Sequence, residues 1–322
     1  MVGGKLEMIG RTGCLGPSTS IAAPSVQNCI PGLPAVLAPP VSASTSRVYF
    51  RDGDAKIRYM TPDGQVGDST TVPGGPTTAS FFAVSPDDKR IAVVVEDLSA
   101  AATIGLRLYV EDLTGGGHHA DTFVTTIQES GGVTLWPMGW HQGSIILAVV
   151  LACSLSPVSE PYEWHVVDAT TATRLATLPG SKVRCLGGFW QSPAGAACSV
   201  DNTTFVNDWS GKPLSQDMYA FGPTQAQLSP SNTSAALDYN GPDGWGGDGV
   251  HTSVINIGQR GMTIMPGHAS CLWIDDTTLL APDAVIAYQS GLPPPGGSIT
   301  VTSNVTALPA AGLCMGRFPG GL

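Results

Sequence analysis

Ser80-Phe-Phe-Ala-Val84, Ser85-Pro-Asp-Asp-Lys89 and Arg90-Ile-Ala-Val-Val-Val95 together form the stretch that decides the fold. Two short runs of aromatic and β-branched residues, the side chains that fit a pleated surface, flank five residues of turn chemistry. Pro86 presets the backbone angle that the second position of a tight turn needs, and Asp87 and Asp88 can bond their own backbone. The reading is a β-hairpin. Asp88 stands where such a turn favours Gly, so it is expected in the left-handed conformation that Asp tolerates.

Working outward, the same grammar recurs. Arg47-Val-Tyr-Phe-Arg51 and Lys56-Ile-Arg-Tyr-Met60 are strands before the turn Thr61-Pro-Asp-Gly64, and Leu106-Arg-Leu-Tyr-Val110 precedes a Gly-rich turn at Gly115 to Gly117. Further hairpin turns fall at Trp140-His-Gln-Gly143, Ser192-Pro-Ala-Gly195, Ser229-Pro-Ser-Asn232 and Asp275-Asp-Thr277. A second series runs through Asp63-Gly64, Asp112 to Gly115, Asp168 to Thr171, Asp208 to Gly211 and Gly258 to Gly261. Both series repeat at about 40 to 55 residues, the period of four-stranded propeller blades. The expected fold is all-β, a six-bladed β-propeller over residues 45–322 behind an irregular N-terminal segment of residues 1–44. The first unit, from Arg47 to Pro73, reads as lacking an inner strand, and Gly312-Leu-Cys-Met-Gly316 reads as an orphan strand. Pairing the two, with Met315 near Tyr49, would close the ring and bury both edges.

The stretch from Phe82 to Ala92, with Val48-Tyr-Phe-Arg-Asp52 and Tyr59-Met-Thr-Pro-Asp-Gly64 before it, resembles the repeat of bacterial TolB-like and WD40-like propellers, whose blades carry a Ser-Pro-Asp-Gly-Lys turn. The match is good in the first two units and degenerates afterward. The resemblance implies a fold and an extracytoplasmic location, and no particular activity, because propellers host binding, scaffolding and hydrolysis alike.

Composition agrees with strands and turns: 322 residues hold 40 Gly and 26 Pro, and only 12% are charged. The net charge of −10, with 15 Lys and Arg in all, leaves no basic face for a nucleic-acid backbone or an anionic membrane. The longest apolar run, Ile145 to Cys153, is about half of what a transmembrane helix needs. Seven cysteines without a C-x-x-C pair argue against structural zinc and for an oxidising compartment. Met1 to Gly4 carry no signal-peptide pattern, so an export signal is expected to have been removed. Cys14 and Cys29 would close the N-terminal segment, Cys185 and Cys198 one hairpin, and Cys271 and Cys314 the ring, with Cys153 left over or exchanging for Cys198.

In a propeller, the loops from fourth to first strands share a face with those from second to third strands, around the channel mouth. That face is expected to carry Glu129, Lys182, Asp217 and His268 from the first set, and Glu96, Asp97, Glu160, Asp243, Asp248 and His251 from the second. Asp238-Tyr-Asn-Gly-Pro-Asp-Gly-Trp-Gly-Gly-Asp-Gly-Val-His251 is the most informative loop. Its glycines let carbonyls converge with Asp243 or Asp248 on a hard cation such as calcium, while Tyr239 and Trp245 offer flat surfaces for a sugar or apolar ligand. The bland alternative is a Gly-rich connection whose Trp covers the blade beneath. His251 and His268 are candidates for a general base or, with Asp248, for metal ligands, with Asp217 as a further catalytic candidate.

Other clusters read as structural. His118, His119 and Asp121 belong to an exposed turn, since neighbouring residues of a strand point to opposite faces. Asp87-Asp88 and Asp275-Asp276 occupy turns, and His141 and His165 show no partner nearby in sequence. Trp136, Trp140, Trp190 and Trp273 read as core between blades, and Trp164 and Trp209 as edge contacts. No G-x-S-x-G, H-E-x-x-H, P-loop or dinucleotide motif occurs. The sequence therefore favours a monomeric binding or scaffold module for a protein, glycan or small molecule. The rivals are a metal-assisted hydrolase of lactones, esters or phosphotriesters, and a self-assembling surface protein.

Overall fold

The computed structural model describes residues 4–9, 15–26, 41–100, 103–114, 123–128, 132–152, 161–178, 192–200, 203–217, 225–240, 250–256, 262–266, 272–273, 275–276, 278–282 and 306–310. Among them every regular element is a strand. None is a helix long and apolar enough to cross a membrane. The chain divides into two compact units, residues 1–10, 14–177 and 315–322, and residues 11–13 and 178–314.

In the first unit, β1 (Gly4–Ile9) and β2 (Leu15–Ile21) form an antiparallel hairpin. Three four-stranded sheets follow in sequence order. The first is β3 (Val41–Ala43), β4 (Val48–Asp52), β5 (Lys56–Met60) and β6 (Val66–Thr71). The second is β7 (Thr78–Val84), β8 (Arg90–Asp97), β9 (Thr103–Asp112) and β10 (Phe123–Gln128). The third is β11 (Val133–His141), β12 (Ser144–Leu151), β13 (Glu163–Asp168) and β14 (Arg174–Leu178). Their first strands are neighbours, β3 beside β7 and β7 beside β11.

The second unit repeats the pattern. It holds β15 (Ala196–Val200), β16 (Thr203–Asn207) and β17 (Pro213–Asp217), then the four strands β18 (Gln225–Leu228), β19 (Ser234–Asn240), β20 (Val250–Asn256) and β21 (Met262–Pro266). Its last sheet, β22 (Leu272–Trp273), β23 (Thr278–Pro282) and β24 (Thr306–Ala310), departs from the rest because β24 runs parallel to β23. Again first strands adjoin, β15 beside β18 and β18 beside β22.

The N-terminal reading needs correction. Residues 4–21 are a hairpin, and residues 41–43 supply the inner strand that the first sheet was expected to lack. Tyr49 stands opposite Ser42 on one side and Tyr59 on the other, so β4 has no free edge for a closing strand. The physical signal was weak because β3 is three residues long and follows two prolines. Gly312 to Gly316 lie outside the described residues. The hairpin instead lays Leu6, Met8 and Ile21 against Val41, Ala43, Val48, Phe50 and Met60, covering one face of the first sheet.

Strand alternation sets the cores. Tyr49 and Ile57 on the other face of that sheet meet Phe82, Val84, Ile91, Val93 and Val95 of the second. Phe81 on the opposite face of β7 packs on Trp136 of the third sheet, with ring centroids 5.5 Å apart. Each such side chain contributes about 1.5–3 kcal/mol by leaving water. Trp136, Trp140 and Trp273 are buried as expected, whereas Trp164 and Trp209 are buried rather than edge contacts. Trp164 is buried on a face of β13, and Trp209 lies in the turn between β16 and β17, where its Nε1 donates to Ser192 O (3.0 Å).

Serine turns stitch neighbouring sheets. Ser44, Ser85, Ser192 and Ser229 are all buried. Three of them receive backbone N–H bonds from the far side of the turn: Arg47 N to Ser44 Oγ (3.1 Å), Arg90 N to Ser85 Oγ (2.9 Å) and Ser234 N to Ser229 Oγ (3.0 Å). Each turn then reaches the next. Thr45 N donates to Pro86 O (3.0 Å), Ser192 Oγ to Ser229 O (3.2 Å), and Ser231 N to Asp276 Oδ1 (2.8 Å). Asp88 has φ of 60°, as its turn position requires, and Asn232 matches it at 59°.

Candidate functional site

An antiparallel sheet has two ends, and the chemistry divides between them. The end where the first strand meets the second carries the serine turns, whose polar groups bind one another. Asp87 Oδ1 accepts from Ser85 Oγ (2.7 Å) and Lys89 N (3.3 Å), so it caps its own turn as expected. Asp88 and Asp276 do something else: they accept from the preceding sheet, Asp88 from Ser46 Oγ (2.5 Å) and Tyr49 OH (2.9 Å), and Asp276 from Ser231.

The opposite end, where second strands finish and third strands begin, holds charged groups that the fold does not fully satisfy. In the first sheet it carries Arg51, 4% exposed, whose guanidinium donates to Ser80 O of the second sheet. Burial pulls Arg51 down to about 10, against a weaker opposing pull from Asp54. The same end is tied to the N-terminal segment: Ala22 N donates to Asp52 Oδ1 (2.7 Å), and Ser25 donates through N (2.5 Å) and Oγ (2.7 Å) to Asp54.

In the second sheet this end carries Glu96 and Asp97. Asp97 is exposed and accepts from Ser99 N (2.9 Å). Glu96 is not the solvent-facing carboxylate that the sequence suggests. It is 4% exposed, between Ala79 of β7 and Leu106 of β9 in register, and points toward Thr134 of the third sheet. Burial raises its carboxyl to about 7, while Thr134 pulls weakly the other way. Neither Glu96 Oε1 nor Thr134 Oγ1 completes a hydrogen bond.

In the third sheet the equivalent end carries a pair that sequence reading missed. His165 Nε2 lies 2.5 Å from Glu163 Oε1, on one face of β13. Residues two apart in a strand share a face, so the spacing Glu-Trp-His was the available signal. Desolvation lowers the His165 pKa despite Glu163, and Arg174 adds to the lowering. His141 ends β11, and its Nδ1 is buried without a partner.

Of the candidate catalytic, ligand-binding, metal and disulfide residues, Asp217, Tyr239, His251 and Cys198 have a described backbone. Asp217 ends β17 opposite Thr204. Tyr239 and His251 stand directly opposite each other across β19 and β20, and His251 faces Pro266 on its other side. Asn240 opposite Val250 is the last pair of that ladder, so residues 241–249, with Asp243, Trp245 and Asp248, make the connection from second to third strand. Cys198 lies in β15 opposite Phe205. Asp243, Trp245, Asp248, His268, Cys14, Cys29, Cys153, Cys185, Cys271 and Cys314 fall outside the described residues, as do Glu129, Glu160, Lys182, Trp190 and the His118–Asp121 cluster. Among the described residues no three His, Cys, Asp or Glu side chains converge as for a metal.

No protein-family model matches the chain, and no curated protein matches it. Solved structures do. A manganese complex of oligogalacturonate lyase aligns at 8% identity over 76% of this chain and 66% of its own, with a TM-score of 0.48. The oligogalacturonate lyase of Vibrio parahaemolyticus aligns at 7% identity over 71% and 65%, with a TM-score of 0.49. A protein described as TolB from Agrobacterium tumefaciens aligns at 14% identity over 72% and 81%, with a TM-score of 0.38. This chain thus spans slightly less than two thirds of either lyase.

Proposed function

We propose that this protein is an extracytoplasmic binding or scaffold module of the propeller type, six blades in a closed ring that begins with β3, and that it holds a polypeptide, glycan or small molecule on the face formed by its second-to-third-strand connections. The reading is supported above all by the β19–β20 ladder. Tyr239 opposite His251 and Asn240 opposite Val250 close this ladder at the second-to-third-strand end, the kind of end where Arg51, Glu96 and the Glu163–His165 pair lie in other sheets. A loop carrying Asp243, Trp245 and Asp248 among glycines there combines a flat apolar surface with carboxylates, the composition of a recognition surface. The serine-turn end uses its polar groups on itself and leaves little for a ligand.

The test is titration of the intact protein, followed by calorimetry, with panels of oligosaccharides and of peptides, beside Trp245→Ala and Asp243→Asn/Asp248→Asn variants. Binding that the Trp245→Ala variant loses, with unchanged urea unfolding, supports the reading. Elemental analysis and turnover of lactone, ester and phosphotriester substrates before and after chelation provide the opposing arm. Chelator-sensitive turnover abolished by His251→Ala would replace the binding reading with a hydrolase whose metal ligands are Asp248, His251 and His268.

A further inference from the structure

We propose that the open edge of β1 is a docking site for a segment of this same chain: Leu313 to Phe318 add to the N-terminal hairpin as its third strand. Among the described residues β1 pairs with β2 alone, which leaves a row of backbone N–H and C=O groups along its other side. A two-stranded hairpin is marginal by itself, even where, as here, Leu6, Met8 and Ile21 pack on a neighbouring sheet.

The neighbours show which edge is open and what it lacks. β2 lies toward the outer strands of the first sheet. Pro17 Cβ is 3.0 Å from where a Cβ on Gly64 would stand, in the β5–β6 turn. Just past β2, Ala22 N donates to Asp52 Oδ1 (2.7 Å) and Ala22 O accepts from Gly53 N (3.1 Å), at the β4–β5 turn. Leu6 and Met8 of β1 share their core with Val41 and Ala43 of β3, the inner strand. The free edge of β1 is therefore on the inner side, where the four-stranded sheets of this unit carry a first strand and the hairpin has none. Pro17 marks β2 as the outer edge, since proline cannot donate to a ladder. The occupant follows from the chain. Residues 178–314 belong to the second unit, whereas residues 315–322 return to the unit that holds the hairpin. Leu313-Cys-Met-Gly-Arg-Phe318 matches the six residues of β1 in length, and Pro319-Gly320-Gly321 ends it with turn chemistry. β4, the partner that the sequence suggested for this segment, is already paired on both sides. This placement is independent of the binding reading and of the number of blades.

The experiment is hydrogen exchange of the full chain, resolved to single amides by NMR. In an antiparallel pair every second N–H of β1 points to β2 and the others point away, so a bare hairpin protects Lys5, Leu6 and Glu7 alternately, whereas a third strand protects them all. The expected result is slow exchange at all of them in the parent. In Met315→Pro the outward-pointing amides should exchange at least about tenfold faster, with residues 78–97 unchanged. A synthetic peptide of residues 311–322, added to the variant, should restore the protection. Alternate protection in the parent overturns the proposal, and so do outward amides that stay equally slow in the variant. Arg317→Pro makes the same comparison should Met315→Pro fail to fold.

Discussion

Asp88→Ala is the most informative single perturbation, because Asp88 does two separable things. It adopts φ of 60°, and its carboxylate takes Tyr49 OH at 2.9 Å and Ser46 Oγ at 2.5 Å across the seam between the first two sheets. Placing Ala in the left-handed region costs about 1 kcal/mol. Tyr49 is 1% exposed, so its hydroxyl loses its carboxylate acceptor in a buried place, at about 1–2 kcal/mol. The Arg47 contact, at 3.9 Å and partly exposed, adds little. The expected loss is about 2–3 kcal/mol for Asp88→Ala. Asp88→Gly removes the carboxylate and relieves the backbone, so it should lose about 1–2 kcal/mol. Asp88→Asn keeps both an acceptor and the tolerated conformation, and should lose about 1 kcal/mol or less. Urea unfolding followed by tryptophan fluorescence measures each value, and a cycle with Tyr49→Phe should show a coupling of about 1 kcal/mol. Equal losses for Ala and Gly would refute the backbone argument. Zero coupling with Tyr49 would refute the claim that this turn clamps the two sheets.

The hairpin at residues 80–95 was legible because every local signal agreed: an aromatic run before the turn and a β-branched run after it, Pro86 in the second turn position, and Asp88 able to take the left-handed angle it adopts. The repeat of turns was legible for the same reason. β3 was not, since three residues after Pro39-Pro40 carry too little periodicity, and its pairing is decided by the exposed edge of β4. The burial of Glu96 was also hidden. A Glu-Asp at a strand end reads as a solvated loop entry, and only the approach of β11 from the next sheet closes over it. Trp164 and Trp209 were hidden for a related reason: tertiary packing buries Trp164 on its strand, and Trp209 folds back from the β16–β17 turn to bond Ser192 O. The Glu163–His165 pair is legible in principle, because residues two apart on a strand share a face.

Gly195→Ala should destabilise the second unit by more than about 3 kcal/mol or prevent its folding, since φ is 142° and a Cβ there would sit 2.0 Å from Asn207 O. Gly143→Ala, at φ of 85° with open space around it, should cost only about 1 kcal/mol, and urea midpoints compare the two. Trp140→Phe removes the 2.9 Å bond from Nε1 to Ala83 O in a buried seam and should cost about 1–2 kcal/mol; a neutral result would mean that this bond adds nothing to sheet packing. The last expectation concerns pH. Burial holds His165 below its ordinary value, with Glu163 opposing and Arg174 assisting. A base whose folded pKa is depressed contributes its full stability above the unfolded value, about 6.5, and loses it as pH falls further. Glu96, raised by burial, runs the other way over the same range, so the parent alone gives a mixed profile. The difference between parent and His165→Gln isolates the histidine: the parent should lose more stability than the variant between pH 7 and pH 5. Parallel profiles would mean that Glu163 fully offsets the burial, and a parent that loses less than the variant would mean that Glu163 holds the imidazolium in the fold.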